Sequence, residues 1–89
     1  MKNAEIAAIL TDIATLLKAR KDNIFKIRAY EKAADYIREW PTEVEQLVKE
    51  DRLKEIPGVG EAINKKIIEL VTNGRLEYYE QLKEELAEV

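Results

Sequence analysis

Apolar residues recur three and four positions apart along most of the chain, and no stretch alternates convincingly with period two. Ile6, Ile9, Leu10, Ile13, Leu16 and Leu17 form a first helical stripe, with Asn3 placed to cap it and fraying expected around Ala19 to Asp22. A second helix starts near Asn23 and carries Ile24, Ile27, Tyr30, Ala34 and Ile37. It stops at Trp40-Pro41, because the residue before a proline is pushed out of the helical region. Thr42 with Glu45 three residues on spells a capping box for a third helix, whose inward face is Val44, Leu47 and Val48 and whose end falls near Glu50. Leu53 and Ile56 suggest one further short helical turn. The fourth helix runs from about Glu61 to Thr72 with Asn73-Gly74 as its stop, and a fifth holds Leu76, Tyr79, Leu82 and Leu86. The pattern predicts an all-α fold, a compact bundle of four to five short helices forming one domain over residues 1–89.

Composition removes whole classes of chemistry. Without cysteine or histidine there is no thiol nucleophile, no disulfide, no zinc-thiolate site and no imidazole base. No leader peptide and no long apolar run is visible, which reads as a cytoplasmic protein without a membrane role. A net charge of −3 argues at first against a nucleic-acid partner. Its distribution softens that: Lys18 to Arg38 carries seven basic and three acidic residues, and Arg52 to Arg75 five and three. The acidic excess sits in Glu39 to Asp51 and in Leu76 to Val89. Either the two basic blocks share a face that attracts phosphate, or they are ordinary solvated helix surfaces.

Between the third and fourth helices lies Leu53-x-x-Ile56-Pro57-Gly58-Val59-Gly60-x-x-Ile63. Pro57 presets φ, while Gly58 and Gly60 permit positive φ and close approach of another molecule to the backbone. The helix that follows at once points its unpaired N–H groups into the turn, where the dipole favours an anion such as a DNA phosphate. A plain helix–helix connection has the same outline.

The P-G-V-G turn with these apolar flanks resembles the helix-hairpin-helix motif, here residues 53–71, which grips one DNA strand by its phosphates without reading sequence. In such hairpins backbone carbonyls hold a monovalent cation, Na+ or K+; the resemblance puts these at Lys54, Ile56 and Val59. Ile27-Arg28-Ala29-Tyr30-Glu31-Lys32-Ala33-Ala34 is similar to the Y-x-A-Y-x-K-A-A segment of family X DNA polymerases, and Asn73-Gly74-Arg75-Leu76 to their T-G-K-L step. Over roughly residues 3 to 86 the chain resembles the N-terminal, lyase-type domain of that family, DNA polymerase beta-like and of bacterial or archaeal type. This implies binding at the 5′-phosphate side of DNA gaps and, in some members, 5′-deoxyribose phosphate lyase activity. The polymerase aspartates of the family lie in a domain absent from this sequence, so the expectation is a fragment that does not polymerise and needs no further cofactor.

A lyase of this kind uses a lysine amine to form a Schiff base with the opened sugar, an electron sink for β-elimination. At roughly 100° per residue, Ile63, Ile67, Leu70 and Val71 form one stripe, Lys65 points to solvent and Lys66 lies at the stripe's edge. The resemblance independently assigns Lys66 the Schiff-base position. It also implies DNA contacts from Lys26, Tyr30, Lys54 and Lys65 and from the backbone of Gly58, Val59, Gly60 and Ala62. Phe25, Ala62 and Tyr78 stand where the family has a histidine and two lysines. Each lost cation weakens phosphate binding by on the order of 1 kcal/mol or less. Lys66 as a helix-edge lysine laying its stem over apolar residues stays open. Trp40 reads as a core or lid aromatic, Tyr79 as core, and Tyr78 as freer, placed near the DNA end if the family geometry holds. The glutamates from Glu77 to Glu88 read as a solvated face turned away from DNA. The competing reading of the whole is a monomeric protein–protein interaction bundle without a DNA role.

Overall fold

In the computed structural model, which describes residues 1–87, every regular element is helical. These are α1 (Asn3–Ala19), α2 (Ile24–Glu39), α3 (Val44–Lys49), a single 3-10 turn (Leu53–Glu55), α4 (Glu61–Asn73) and α5 (Glu77–Ala87). Glu88 and Val89 lie outside the described residues. None of the described helices is long and apolar enough to cross a membrane.

α1 is the spine. Its face of Ile6, Ala7, Leu10, Ile13, Ala14 and Leu17 is buried, and small Ala7 and Ala14 let the neighbours approach. α2 runs back along it: Lys18 meets Glu31 while Thr11 meets Arg38, the crossing order of antiparallel helices. Asp12 meets Tyr79 and Arg20 meets Glu85, so α5 lies beside α1 in the parallel sense. Ile56, Val59, Ile63, Ile67 and Leu70 bring the hairpin and α4 into the same core, which Leu76 and Leu82 complete. Burying side chains of this size stabilises the fold by about 1.5–3 kcal/mol each.

The helix ends depart from the sequence expectation in three places. Asn3 does not cap its own helix. It lies inside α1, and its amide clamps the start of α3: Oδ1 accepts from the Val44 N–H at 2.8 Å and Nδ2 donates to the Thr42 carbonyl at 3.0 Å. The Thr42–Glu45 capping box is therefore not formed. Glu43 is the cap position, without a side-chain bond of its own, and the Glu45 carboxylate instead meets the Met1 amine. Nor does α1 fray. Lys21 takes a left-handed φ of 59°, the Asp22 N–H reaches the Leu17 carbonyl and the Lys21 N–H the Lys18 carbonyl. That crossed pair of bonds is a Schellman end. α3 ends the same way, on Asp51 at φ 54°.

Other boundaries fall as expected. Asn23 caps α2 by accepting from the Phe25 N–H at 2.8 Å. Trp40 closes that helix in extended backbone, half-buried against the core. Gly74, at φ +74°, stops α4 with its N–H on the Leu70 carbonyl.

Candidate nucleic-acid interface

The hairpin is built on a sharp local turn. Ile56 ends the 3-10 segment in extended backbone, and the Val59 N–H closes back onto the Ile56 carbonyl at 3.2 Å. Gly58 takes φ +84°, a conformation only glycine adopts cheaply. Val59 then turns its side chain into the core, which anchors the turn between two helices. Gly60 becomes the cap position of α4 and carries no side chain to satisfy the first N–H groups. As a result the amides of Gly58, Gly60, Glu61, Ala62 and Ile63 have no hydrogen-bond partner among the described residues. They are the orphan donors at the positive end of the α4 dipole.

A cavity of about 330 Å³ opens between the residues that carry these amides and α2. Lys26, Ala29 and Tyr30 line it from α2; Gly58 and Gly60 from the turn; Glu61, Ala62, Ile63 and Lys66 from α4. Ala29 supplies the room, since a larger residue there would fill the space between the helices. Tyr30 is held at the back of the site. Burial first, and the neighbouring Tyr78 phenol second, raise its hydroxyl well above the ordinary tyrosine range, so it stays neutral at physiological pH. Glu61 adds one carboxylate to the rim, within 3.7 Å of Lys65.

Six of the residues singled out in the sequence thus meet at one cavity: Lys26, Tyr30, Gly58, Gly60, Ala62 and Lys66. The helical wheel separated the two lysines of α4 correctly, Lys66 being half-buried and Lys65 exposed. Three other residues lie off the cavity lining. Lys65 faces solvent beside Glu61, Lys54 sits exposed on the 3-10 turn, and Val59 is buried with its amide spent on Ile56. Among the carbonyls, that of Ile56 accepts this one bond, while those of Lys54 and Val59 accept none among the described residues. All three therefore keep lone pairs with which to hold a cation.

One contribution escaped the sequence reading and a second was read only in part. Lys32 runs its stem over the turn: a Cβ placed on Gly58 would meet its Cγ at 3.3 Å and its Cδ at 3.4 Å. Its spacing of three from Ala29, on the same side of α2, is the signal that marks it. Tyr78 is not the free residue its position beside Tyr79 suggested. Its ring lies near-parallel to Tyr30, 6.4 Å between centroids, and its hydroxyl is buried without a partner. Tyr79 instead packs against the core and donates to Asp12 Oδ2 at 2.6 Å.

Glu61 apart, several carboxylates are engaged in ion pairs outside the cavity lining. Glu85 pairs with Arg20 beside α1, Glu80 with Lys83 along α5, and Glu50 and Glu55 grip Arg52. Of the glutamates at the end of the chain, Glu88 lies outside the described residues. An apolar-flanked turn, left-handed at its first glycine, with orphan amides opening onto a basic cavity is the outline of a helix-hairpin-helix. Residues 1–76 match the family model described as Helix-hairpin-helix domain. With most of its length inside that match, the chain belongs to the helix-hairpin-helix domain family.

Proposed function

We propose that this domain binds DNA through its phosphates, without sequence preference, at the 5′-phosphate side of a gap. One observation carries this reading: orphan amides at a helix start and two lysine side chains, Lys26 and Lys66, border the same cavity. Amides and ammonium groups both favour an oxyanion, and neither reads a base. The resemblance to the N-terminal domain of family X DNA repair polymerases extends the proposal to a domain spanning residues 1–89 that serves a longer polymerase. Lys54 and Lys65, on the outer surface, are assigned to flanking phosphates. A Na+ or K+ ion on the carbonyls of Lys54, Ile56 and Val59 is part of the same proposal and would bridge the turn to a phosphodiester.

The chemistry proposed for the cavity is 5′-deoxyribose phosphate lysis. Once its ammonium group has given up a proton to water, the Lys66 amine adds to C1′ of the ring-opened sugar and loses water, giving an imine. Removal of a C2′ proton sends electrons into that imine, and the 3′ C–O bond breaks to release the phosphate-terminated strand. Water then frees the lysine. Half-burial at the edge of an apolar stripe, with the amine beside a lined cavity, supports Lys66 over exposed Lys65 for this role.

Borohydride trapping on a gapped duplex bearing a 5′-deoxyribose phosphate tests it, with Lys66→Ala and Lys65→Ala alongside. The expected result is a covalent adduct from the wild-type chain and Lys65→Ala and none from Lys66→Ala. Gapped-DNA binding without any adduct would leave phosphate binding and remove the lyase. A protein-docking reading has one observation in its favour, the exposure of Ile24 and Phe25 at 49% and 75%. Absence of gapped-DNA binding even at low salt would select that reading.

A further inference from the structure

Tyr78 occupies an unusual place. The Lys66 Nζ stands 4.7 Å from the centre of its ring and the Lys26 Nζ 5.4 Å from it. Both lysines also line the cavity. Two ammonium groups drawn to one small region repel each other, and neither has a carboxylate within ion-pair distance among the described residues. What faces them is the electron-rich π-system of one tyrosine, which attracts a cation held near its centroid. Tyr30 lies near-parallel to that ring and fixes its tilt. The Tyr78 hydroxyl does none of this work: it is buried and unpartnered.

We infer that Tyr78 is a positioning residue, whose ring holds the Lys26 and Lys66 ammonium groups at the cavity so that a terminal phosphate meets both at once. This rests on the phosphate-binding reading above and deepens it. A lysine side chain has wide rotamer freedom, and an anion that must order two of them loses affinity in doing so. Each ammonium has three donors and uses the ring through one side only. The remaining donors stay available to a ligand, so ring and phosphate act together and do not compete. Two cations on one site match the near-dianionic charge of a phosphate monoester better than the single charge of a diester. The ring therefore serves recognition of a strand's 5′ end and not of its interior phosphates.

The test compares Tyr78→Phe and Tyr78→Leu with the wild-type chain, on one-nucleotide-gapped duplexes with and without the 5′-phosphate. Tyr78→Phe keeps the ring, removes the unpaired hydroxyl and is expected to bind both duplexes within about twofold of wild type. Tyr78→Leu is expected to lose about three- to tenfold in affinity for the phosphorylated duplex alone, a selective loss that general loosening of the fold would not give. In the free protein, the ε-methylene protons of Lys26 and Lys66 should be shifted upfield by the ring in wild type and Tyr78→Phe. Should Tyr78→Leu unfold, 3,4,5-trifluorophenylalanine at position 78 keeps the shape while withdrawing the ring's negative face, and the same selective loss is expected. Equal affinities across wild type, Tyr78→Phe and the variant that withdraws or removes the ring, with phosphate-dependent binding intact in all, overturn the inference and spare the proposed function. Failure of the wild-type chain to distinguish the two duplexes overturns both.

Discussion

Gly58 and Gly74 share a left-handed backbone, at φ +84° and +74°, but not their surroundings. A Cβ on Gly74 meets nothing within 4 Å, so Gly74→Ala isolates the cost of the conformation, about 1 kcal/mol. Gly58→Ala adds a contact with the Lys32 stem and is expected to cost about 1–2 kcal/mol, read by urea unfolding. Gly60 is different again. Its backbone is extended and its Cβ position is open, so Gly60→Ala should change stability by less than about 0.5 kcal/mol. Placed among the orphan amides, the added methyl is nevertheless expected to lower affinity for phosphorylated gapped DNA by about tenfold, measured by fluorescence anisotropy. At this scale the turn was legible, because proline and glycine restrict or release φ whatever surrounds them. Lys66 was legible too, since a wheel needs only the stripe beside it. Tyr78 was legible only in part: the resemblance put it near the DNA end, but its place against Tyr30 and the two lysines depends on how α5 lies across α2 and α4, and no local spacing encodes that.

Among the elements, α3 depends on a residue some forty positions away. The Asn3 amide gives its first free N–H an acceptor and holds the Thr42 carbonyl as well. Asn3→Ala is therefore expected to cost about 1–2 kcal/mol, while Thr42→Ala costs less than about 0.5, both from denaturant midpoints. The reverse ranking would restore the capping box that the sequence spelled. Such motifs mislead for a physical reason: an orphan N–H donates to whichever oxygen the fold brings near, and only local oxygens are visible in sequence. The same limit hid the Schellman ends at Lys21 and Asp51. Without glycine they look like fraying, yet the crossed backbone bonds are made and the left-handed cost is absorbed. Helix existence and most of the buried faces needed no such distant information, and periodicity located them; Ile24, read into the stripe of α2, is instead exposed in its first turn, where the fold brings no partner over it.

Across the whole molecule, net charge is a poor guide to its electrostatics. Arg20, Arg38 and Arg52 are each bound to carboxylates, so much of the basic blocks is neutralised at short range. Lys26, Lys32 and Lys66 have no such partner among the described residues and come together around Gly58. With Lys54 and Lys65 on flanking phosphates, five released counterions imply a plot of log K against log salt with a slope of about −3.5 to −4.5 for gapped DNA, checked by titration at several salt concentrations. A slope near zero would take the lysines out of the binding. Whether the basic blocks share a face was open in sequence because it turns on how α2 packs against α4. The single tryptophan lies elsewhere in this arrangement. Trp40 closes α2 about 20 Å along the helix axis from Lys26 and packs on the core. At that distance its emission is expected to follow the melting of the bundle and not what enters the cavity. The domain thus carries a built-in optical gauge of its own folding, one that a bound phosphate leaves at the same wavelength while raising the temperature at which it changes.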